Sequence, residues 1–364
     1  MRILILANND MGLYKFRKEL LEELINLYEV YVCVPDGEFV EKILSMGCKL
    51  VLCNVLERRS MNPIKDLKLV QFYRKTIEAV SPDIVLTYTI KPNVYGGWVC
   101  GKKKIPYLSN VTGLGTTIEN GGILAAVSTT LYRIGLRHAS CVFFQNRNNQ
   151  KLFIDKHIVK GATKLIPGSG VNLNTHPYEE YPPENGKLRF LFVGRIMKDK
   201  GIEELLSAIR TLHNENLGIV LDVVGFCDEN YTNELKLAEA EGSTIFHGIQ
   251  SDVHPFYTRC HCAILPSYHE GMANVMLEAS STGRPVITTT VPGCVETFDE
   301  GVTGFGCEAK NADSLLAAMR EFISLPYEDK KDMGFNARHK MEKEFDRQIV
   351  LNSYKKTIQD CVSR

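Results

Sequence analysis

The chain lacks a net charge, a long apolar run and a metal-binding pattern of cysteines. Its 364 residues carry 43 basic and 43 acidic side chains, and this balance argues against a nucleic-acid binder that relies on bulk charge. No segment approaches the roughly 18 consecutive apolar residues of a membrane-spanning helix. The 11 cysteines include no C-x-x-C pair, so they predict a reduced cytosolic compartment and neither a disulfide framework nor a zinc site.

Two nucleotide-binding signatures are also missing. The first loop, ANNDMGLYKFR (7–17), has no G-x-G-x-x-G, so hydride chemistry loses its best support. Gly12 in this loop either lets the backbone approach a ligand or closes a turn, and the residues alone leave both possibilities open. The chain contains no Asp-x-Asp, the usual carboxylate clamp for a nucleotide-bound divalent metal. We therefore expect neither a metal nor another cofactor.

Short apolar runs alternate with longer amphipathic segments, a pattern typical of βαβ units and parallel sheets. The amino-terminal run RILILA turns polar at once, so it is interpreted as the first strand and not as a signal peptide. Helices are predicted over 15–27 and over 62–80. The second has Asn62 at the N-cap and Pro63 in the first helical position, and its apolar stripe is predicted from helical spacing to be Leu67, Val70, Tyr73, Ile77 and Val80. The predicted strands are 2–7, 30–35, 84–88, 107–111 and 141–146, followed by 188–194, 220–225, 243–248, 262–266, 285–289 and 304–308.

The two sets of strands predict an α/β chain of two Rossmann-like parallel-sheet domains that face a cleft. The stretch 166–187 is rich in Pro, Gly and Asn and marks the change of domain. The predicted division is a first domain over 1–170, a linker over 171–187, a second domain over 188–345, and a carboxyl-terminal helix over 346–364 that packs back on the first domain.

The segment FVGRIMKDKGIEELLSAI (192–209) carries the first candidate binding residues. Arg195 and Lys200 bracket a loop between a predicted strand and a helix. An arginine fork, a lysine charge and a helix amino terminus together suit an anionic ligand such as a diphosphate. Taken alone, the same spacing also fits a solvated loop with ordinary surface cations.

The segment PSYHEGMANVMLEASSTGRPVITT (266–289) carries the second set. The backbone N–H groups of residues 271–274 are predicted at a helix start, where they can hold a phosphate or sugar oxygen. Glu278 is predicted about one turn into that helix, where its carboxylate can accept hydrogen bonds from two vicinal hydroxyls of a ribose. Alternatively, Glu270 only favours the helix dipole and Glu278 lies on a solvated face.

These two segments, together with VPGCVETFDEGVTGFGCE (291–308), resemble the retaining glycosyltransferases of family 4, which have the GT-B fold. The first half resembles the branch of the family that builds capsule, O-antigen and lipid-linked glycans, in the segments RRSMNPIKDL, PDIVLTYTIKPNVYG and NVTGLG. The nearest resemblance is to N-acetylgalactosaminyltransferases that act on undecaprenyl-diphosphate-linked sugars. One position departs from the wider family. Many members have a His where this chain has Thr112, so a contact through histidine is not carried over.

The resemblance implies a role for each candidate residue. Arg195 and Lys200 bind the donor diphosphate, Glu278 binds the ribose, and Glu270 lies near the donor sugar. With Arg195 and Lys200, Glu270 is the candidate catalytic set. Thr112 and His269 are the sugar-adjacent positions, although His269 is equally well explained as structural. The remaining candidate donor-binding residues are Gly12, Val224, Gly225, Gly248, Ile249, Gly271, Met272, Ala273 and Asn274.

The expected function is the transfer of a sugar, with N-acetylgalactosamine first, from a UDP-sugar to a polyprenyl-diphosphate-linked glycan, with retention and without a metal. The sequence leaves alternatives open: a UDP-hexose or UDP-GlcNAc transferase with another acceptor, a GT-B nucleotide-sugar hydrolase or epimerase, or a non-catalytic nucleotide-sugar sensor.

Charge is unevenly distributed along the chain. Residues 1–175 carry a net charge of +9 and the remainder −9. The basic excess of the first domain includes Arg58, Arg59, Lys102, Lys103 and Lys104, which form the predicted acceptor and membrane face. Such a face can rest on anionic headgroups, although a solvated basic surface explains any single cluster. The protein is therefore expected at the cytoplasmic face of the inner membrane, bound peripherally and without a nucleic-acid partner.

Overall fold

The computed structural model describes residues 1–57, 62–113, 122–183, 187–215 and 217–362, and the chain divides into two compact units. The first unit comprises Met1–Ser169 and Gln348–Arg364, and the second comprises Gly170–Arg347. The segment predicted as a linker lies in the second unit, with 184–186 outside the described residues. The second unit extends two residues past the predicted boundary at 345, because Asp346 forms an isolated bridge with Val171.

The first unit is built from alternating strands and helices. Asn9 caps the first helix by accepting a hydrogen bond from the Gly12 N–H at 2.6 Å. In chain order the elements are β1 (Arg2–Leu6), α1 (Asp10–Ile25), β2 (Glu29–Val34), α2 (Val40–Ser45), β3 (Lys49–Leu52), α3 (Pro63–Val80), β4 (Ile84–Tyr88), a π-helical turn (Pro92–Gly96), α4 (Gly97–Lys103), β5 (Tyr107–Val111), α5 (Gly122–Leu136), β6 (Cys141–Phe144), α6 (Arg147–Asp155) and β7 (Ala162–Leu165).

The second unit repeats the alternation, and the chain then returns to the first unit. Its elements are β8 (Leu188–Val193), a 3-10 turn (Lys198–Lys200), α7 (Ile202–Asn214), β9 (Ile219–Val224), α8 (Thr232–Ala240), β10 (Thr244–Phe246), α9 (His254–Arg259), β11 (Cys262–Leu265), α10 (Asn274–Ser281), β12 (Val286–Thr289), a 3-10 turn (Val295–Thr297), β13 (Gly304–Cys307), α11 (Ala312–Ser324), α12 (Tyr327–Lys340) and a π-helical turn (Met341–Phe345). The final helix, α13 (Arg347–Val362), belongs to the first unit from Gln348 onwards.

Both sheets are parallel and doubly wound. The first has the order β3-β2-β1-β4-β5-β6-β7, and the second has the order β10-β9-β8-β11-β12-β13. The strand order reverses between β1 and β4 in the first sheet and between β8 and β11 in the second. Ligands of such sheets bind beyond the carboxyl ends of the strands at this switch point. The prediction of two Rossmann-like parallel-sheet domains is confirmed.

Three details differ from the sequence predictions. Strands β3 and β7 were not predicted, since each has only four residues and the sequences KLVL and ATKL mix apolar and basic side chains. The first helix begins at Asp10, five residues before the predicted start, so Gly12 lies in a helical turn. In α3 the cap and Pro63 are confirmed, but the Leu67 side chain is exposed (61%) and Leu69 occupies the buried face instead.

Helices cover both faces of the first sheet. Helices α1 and α13 pack on one face, and α3, α4 and α5 pack on the other. Within the described ranges, no helix combines the length and the apolar character that a membrane crossing requires.

Candidate active site

The candidate site of the second unit lies at its switch point. Strands β8 and β11 are neighbours, so the loops that follow them emerge side by side from the carboxyl edge of the sheet. Asp199 in the first loop joins them, because its carbonyl oxygen accepts from the Tyr268 N–H at 2.9 Å and from the Ser267 hydroxyl at 3.2 Å. This topology brings together segments that are about seventy residues apart in the sequence.

Two glycines allow the segments that follow neighbouring strands to approach each other closely at this edge of the sheet. Gly201 has φ +71°, and a Cβ atom there would lie 2.1 Å from the carbonyl oxygen of Pro266. Gly225 has φ +146°, and its Cβ atom would lie 1.8 Å from the carbonyl oxygen of Gly194. Any larger residue at either position would push the loops apart.

Lys200 and Glu270 form the central contact of the site. The Lys200 ammonium donates to the Glu270 carboxylate, and the two side chains are 17% and 15% exposed. Cys294 is buried near this pair, and burial, reinforced by the Glu270 charge, raises the pKa of its thiol to about 12. The thiol therefore stays neutral, and the charges at this point of the site are those of Lys200 and Glu270.

Arg195 has a different partner. Its guanidinium donates to the Asp228 carboxylate at 2.9 Å, and the arginine side chain is considerably more exposed than that of Lys200. Asp228 was not singled out from the sequence, since an acidic residue in a polar loop carries no motif. In this structure, both cations predicted to bind a diphosphate are paired with carboxylates.

Glu278 lies on α10 and is held by a buried tyrosine. The Tyr257 hydroxyl donates to Glu278 Oε2 at 2.9 Å, and burial, followed by the nearby Glu278 charge, raises the pKa of Tyr257 well above its ordinary value. The phenol therefore remains protonated and fixes one oxygen of the carboxylate. Tyr257 was missed from the sequence because a tyrosine among apolar residues usually indicates ordinary core.

The segment that leads into α10 presents its backbone. Met272 and Ala273 are buried, so what they can offer a ligand is main chain. The Ala273 N–H donates to the Gly293 carbonyl oxygen at 2.7 Å, and α10 begins at Asn274 without a side-chain hydrogen bond from its N-cap residue. Gly271 precedes this turn. The Asn274 N–H is also bonded, to the Met272 carbonyl oxygen at 2.9 Å, so this helix start offers an anion mainly its partial positive charge.

Four of the candidate donor-binding residues are those that the family resemblance assigns to the lining around the nucleotide base, and they lie at the end of β9 and just after β10: Val224, Gly225, Gly248 and Ile249. The Gly225 N–H donates to the Gly248 carbonyl oxygen at 2.8 Å, which links the two strand ends. Gly248 has φ +63° with open space around its Cα atom, and Ile249 beside it is highly exposed. The Val224 side chain, in contrast, packs in the core.

The other predicted positions are dispersed. His269 is half-buried, with Nε2 3.9 Å from Asp199 Oδ2. Thr112 and Gly12 both lie in the first unit, where Thr112 follows β5 and the Gly12 N–H is bonded to Asn9. The structure therefore brings Lys200 into contact with Glu270 and Gly225 into contact with Gly248. Arg195, Glu278 and His269 are each positioned by residues that were not singled out from the sequence.

The basic face of the first unit is partly neutralised. Lys103 pairs with Glu78 at 2.8 Å, whereas Lys102 and Lys104 are exposed at the end of α4. Arg58 and Arg59 lie outside the described residues. The charge available on this face is therefore smaller than the sequence count suggests.

Comparison with known proteins identifies the class. Residues 2–146 match the family Glycosyl transferase 4-like, and residues 178–340 match the family Glycosyl transferases group 1. The fold resembles sucrose-phosphate synthase from Thermosynechococcus elongatus (TM-score 0.80, 19% identity, 100% of each chain) and Anabaena HepE in complex with UDP-glucose (TM-score 0.79, 19% identity, 99% of this chain and 100% of that one). The chain is an enzyme of the GT-B glycosyltransferase class.

Within that class, the chain belongs to the glycosyltransferases that join a 4-like domain to a group 1 domain. It is 27% identical to the N,N'-diacetylbacillosaminyl-diphospho-undecaprenol alpha-1,3-N-acetylgalactosaminyltransferase of Campylobacter jejuni, over 98% of each chain. It is 31% identical to the capsular polysaccharide biosynthesis glycosyltransferase CapM of Staphylococcus aureus, over 44% of this chain and 42% of that protein. The predicted family and enzyme class are confirmed.

Proposed function

We propose that this glycosyltransferase moves N-acetylgalactosamine from UDP-N-acetylgalactosamine to a polyprenyl-diphosphate-linked glycan, with retention and without a metal. The observation that carries the donor half is the contact between Lys200 and Glu270 at the switch point of the second unit. It joins a cation suited to the departing diphosphate with a carboxylate suited to sugar hydroxyls.

The choice of sugar and acceptor draws on the Campylobacter relative. The name of that protein specifies N-acetylgalactosamine transfer to an undecaprenyl-diphosphate-linked sugar, and the likeness spans 98% of both chains. At 27% identity a few substitutions can change the sugar, because a small number of pocket contacts decides such specificity. Glucose, galactose and N-acetylglucosamine donors are therefore the alternatives to be tested.

The proposed chemistry relies on stabilisation of the leaving group. As the bond between the sugar and the diphosphate breaks, negative charge grows on the UDP oxygens, and we expect Lys200, Arg195 and the partial positive charge at the start of α10 to stabilise it. Lys200 must then share its charge between Glu270 and the diphosphate. Glu270 is thereby released to accept hydrogen bonds from the donor sugar. The acceptor hydroxyl attacks the face that UDP leaves, and its proton passes to the departing diphosphate oxygen.

A donor screen tests this proposal. We expect UDP release to be fastest with UDP-N-acetylgalactosamine, compared with UDP-N-acetylglucosamine, UDP-galactose and UDP-glucose, and to require a polyprenyl-diphosphate-linked acceptor. Lys200→Met should abolish the release, while Lys198→Met, which removes an exposed lysine of the same loop, should leave it intact. Equal UDP release without acceptor would instead favour a hydrolase, and interconversion of the donors an epimerase.

We also propose that the first unit contacts an anionic membrane surface. Lys102 and Lys104 are exposed beside Trp98, which is itself partly exposed, and Ile64 and Leu67 are exposed on α3, which packs against α4. Basic and apolar side chains on adjacent helices suit reversible adsorption to a lipid headgroup layer. Such adsorption would bring the enzyme to a membrane-embedded acceptor.

A further inference from the structure

One face of the first sheet becomes polar towards its carboxyl edge. On the side covered by α1 and α13, the strands are lined with apolar residues until their ends. There the side chains on this face become Tyr88 on β4, Asn110 on β5 and Gln145 just after β6, and all three are buried. Buried polar residues at this edge, next to the switch point between β1 and β4, indicate more than core packing.

Part of this polar layer is satisfied internally. Asn110 Nδ2 donates to the Tyr354 hydroxyl on α13 at 2.7 Å, and Gln145 Nε2 donates to Asn110 Oδ1 at 3.4 Å. The Tyr88 hydroxyl is different: it is buried and makes no hydrogen bond to the described residues. Burial, followed by the nearby Tyr354 hydroxyl, raises the pKa of Tyr88 well above its ordinary value, so this phenol stays protonated beside Tyr354 and Arg17.

Arg17 of α1 completes the cluster. Only 5% of the residue is exposed, and its guanidinium carbon lies 5.3 Å from the centroid of the Tyr88 ring. Nη1 donates to the carbonyl oxygen of Phe16 at 3.0 Å, but Nε is buried without a partner. Within the described part of the chain, Arg17 has no carboxylate at ion-pair distance. Asp10, on the same face of α1, instead accepts from the Phe39 N–H at 2.7 Å.

The geometry directs this guanidinium towards the edge of the sheet. Side chains of a helix lean towards its amino terminus, and α1 begins at the carboxyl edge, immediately after β1. The residue after Tyr88 adds a second sign of a binding site. Thr89 has φ +72°, a conformation that is rare for a β-branched residue and that is concentrated at ligand-binding positions.

We propose that Arg17 and Tyr88 form a binding site for a phosphate-type oxyanion. A buried cation without a counter-charge is unfavourable, and a phosphate supplies both the charge and an acceptor oxygen for the unpartnered Arg17 Nε, with the protonated Tyr88 phenol beside it as a second donor. On the proposed function, on which this assignment rests, the anion is the phosphate of the polyprenyl-linked acceptor. The donor diphosphate is the other source of the same chemistry, and the experiment separates the two.

Inorganic pyrophosphate is the first probe, measured by calorimetry on the full chain. The Arg195→Ala/Lys200→Ala double variant removes the two cations proposed for the donor, so pyrophosphate binding that remains reports another site. We expect this binding to weaken at least 10-fold when Arg17→Gln is added, and to stay unchanged with Lys18→Gln, which removes an exposed charge of the same helix. Tyr88→Phe should give a smaller loss. If Arg17→Gln leaves the binding intact, or if the double variant binds no pyrophosphate, the site does not exist.

Thermal stability separates a binding role from a structural one. Replacement of an unpaired buried charge by an apolar side chain of similar length is neutral or stabilising when the charge serves only a ligand. Arg17→Met should therefore melt at the same temperature as the wild type or higher, and should still lose the pyrophosphate site. A clearly lower melting temperature would assign Arg17 to the packing of α1 and would overturn the proposal.

Kinetics of the single Arg17→Gln variant, with Arg195 and Lys200 intact, identify the source of the anion. Arg17→Gln should raise KM for the lipid-linked acceptor at least 10-fold and leave the affinity for UDP unchanged. An equal loss of UDP affinity would assign the anion to the donor and overturn the acceptor assignment. If the wild-type protein transfers no sugar but pyrophosphate binding depends on Arg17, the proposed function fails while the anion site stands.

Discussion

Removal of the Glu270 charge should tighten the binding of UDP. Lys200 donates to Glu270, so a diphosphate that approaches Lys200 competes with this carboxylate. Glu270→Gln keeps the size and the hydrogen-bonding capacity of the side chain but removes its charge. The ammonium of Lys200 then has no internal counter-ion to give up when the nucleotide binds.

The exposure of the pair sets the size of the effect. Exposed ion pairs contribute at most about 1 kcal/mol, whereas loss of one partner from a fully buried pair costs about 3–5 kcal/mol. With side chains 17% and 15% exposed, the Lys200–Glu270 pair lies between these limits. We take about 1–2 kcal/mol as the competition that Glu270 exerts, which corresponds to UDP binding about 5- to 30-fold more tightly in the variant.

Calorimetric titration with UDP measures this effect, and turnover is followed in parallel. Turnover should fall in Glu270→Gln, since the carboxylate is proposed to act on the sugar. Glu203→Gln is the matched control, because it removes a nearby carboxylate that is bonded to Tyr231 and Lys198 and not to Lys200. Weaker UDP binding in Glu270→Gln, or an equal gain in Glu203→Gln, would refute the competition between Glu270 and the nucleotide.

Three further predictions concern the metal-independent reaction, the ribose assignment and membrane binding. Arg195→Ala should lower turnover about 10²-fold, the usual loss for one stabiliser of developing charge, and EDTA should leave the wild-type rate intact; strict dependence on added Mg²⁺ or Mn²⁺ would contradict the metal-independent proposal. Glu278→Ala should weaken the binding of UDP itself as well as that of the UDP-sugar. Tyr257→Phe should give a smaller loss of affinity, seen mainly as a higher KM, because Tyr257 acts through Glu278. A loss of kcat alone in both variants would exclude the ribose assignment. The protein should float with anionic liposomes at low salt and be released at roughly 0.5 M salt. The double variant Lys102→Glu/Lys104→Glu should weaken this binding more than Lys103→Glu, because Lys103 already has a carboxylate partner in Glu78. Absence of flotation would reject membrane contact.

In the first sheet the sequence predicts the inner strands better than the outer ones, whereas all six strands of the second sheet were predicted. Strands buried on both faces are nearly continuous apolar runs, and all of these were found. Strands β3 and β7 lie at the two edges of the first sheet, where partial exposure allows basic residues and removes the apolar signal. The prediction of Leu67 in the apolar stripe of α3 was wrong, because helical spacing alone does not show which face of the helix the sheet covers; Leu69 is buried instead.

The candidate site was predictable in its members but not in its contacts. The motifs around Arg195, Lys200, Glu270 and Glu278 locate the loops and the helix that carry them. The contact between Lys200 and Glu270, however, depends on β8 and β11 being neighbours, a consequence of strand order that no local pattern encodes. Tyr257 acts on Glu278 from a separate helix, so its role could be seen only once both were placed.

The two switch points differ in how their cations are balanced. In the second unit Lys200 and Arg195 each have a carboxylate partner. A bound anion is therefore attracted to these cations only if it displaces that carboxylate or shares the cation with it. In the first unit Arg17 has no such competitor among the described residues, and its burial leaves little water to screen it. A given anion should therefore meet an internal competitor at Lys200 and Arg195 and none at Arg17. The affinity at Arg17 should be unchanged by substitution of nearby acids, whereas that at Lys200 should respond directly to Glu270.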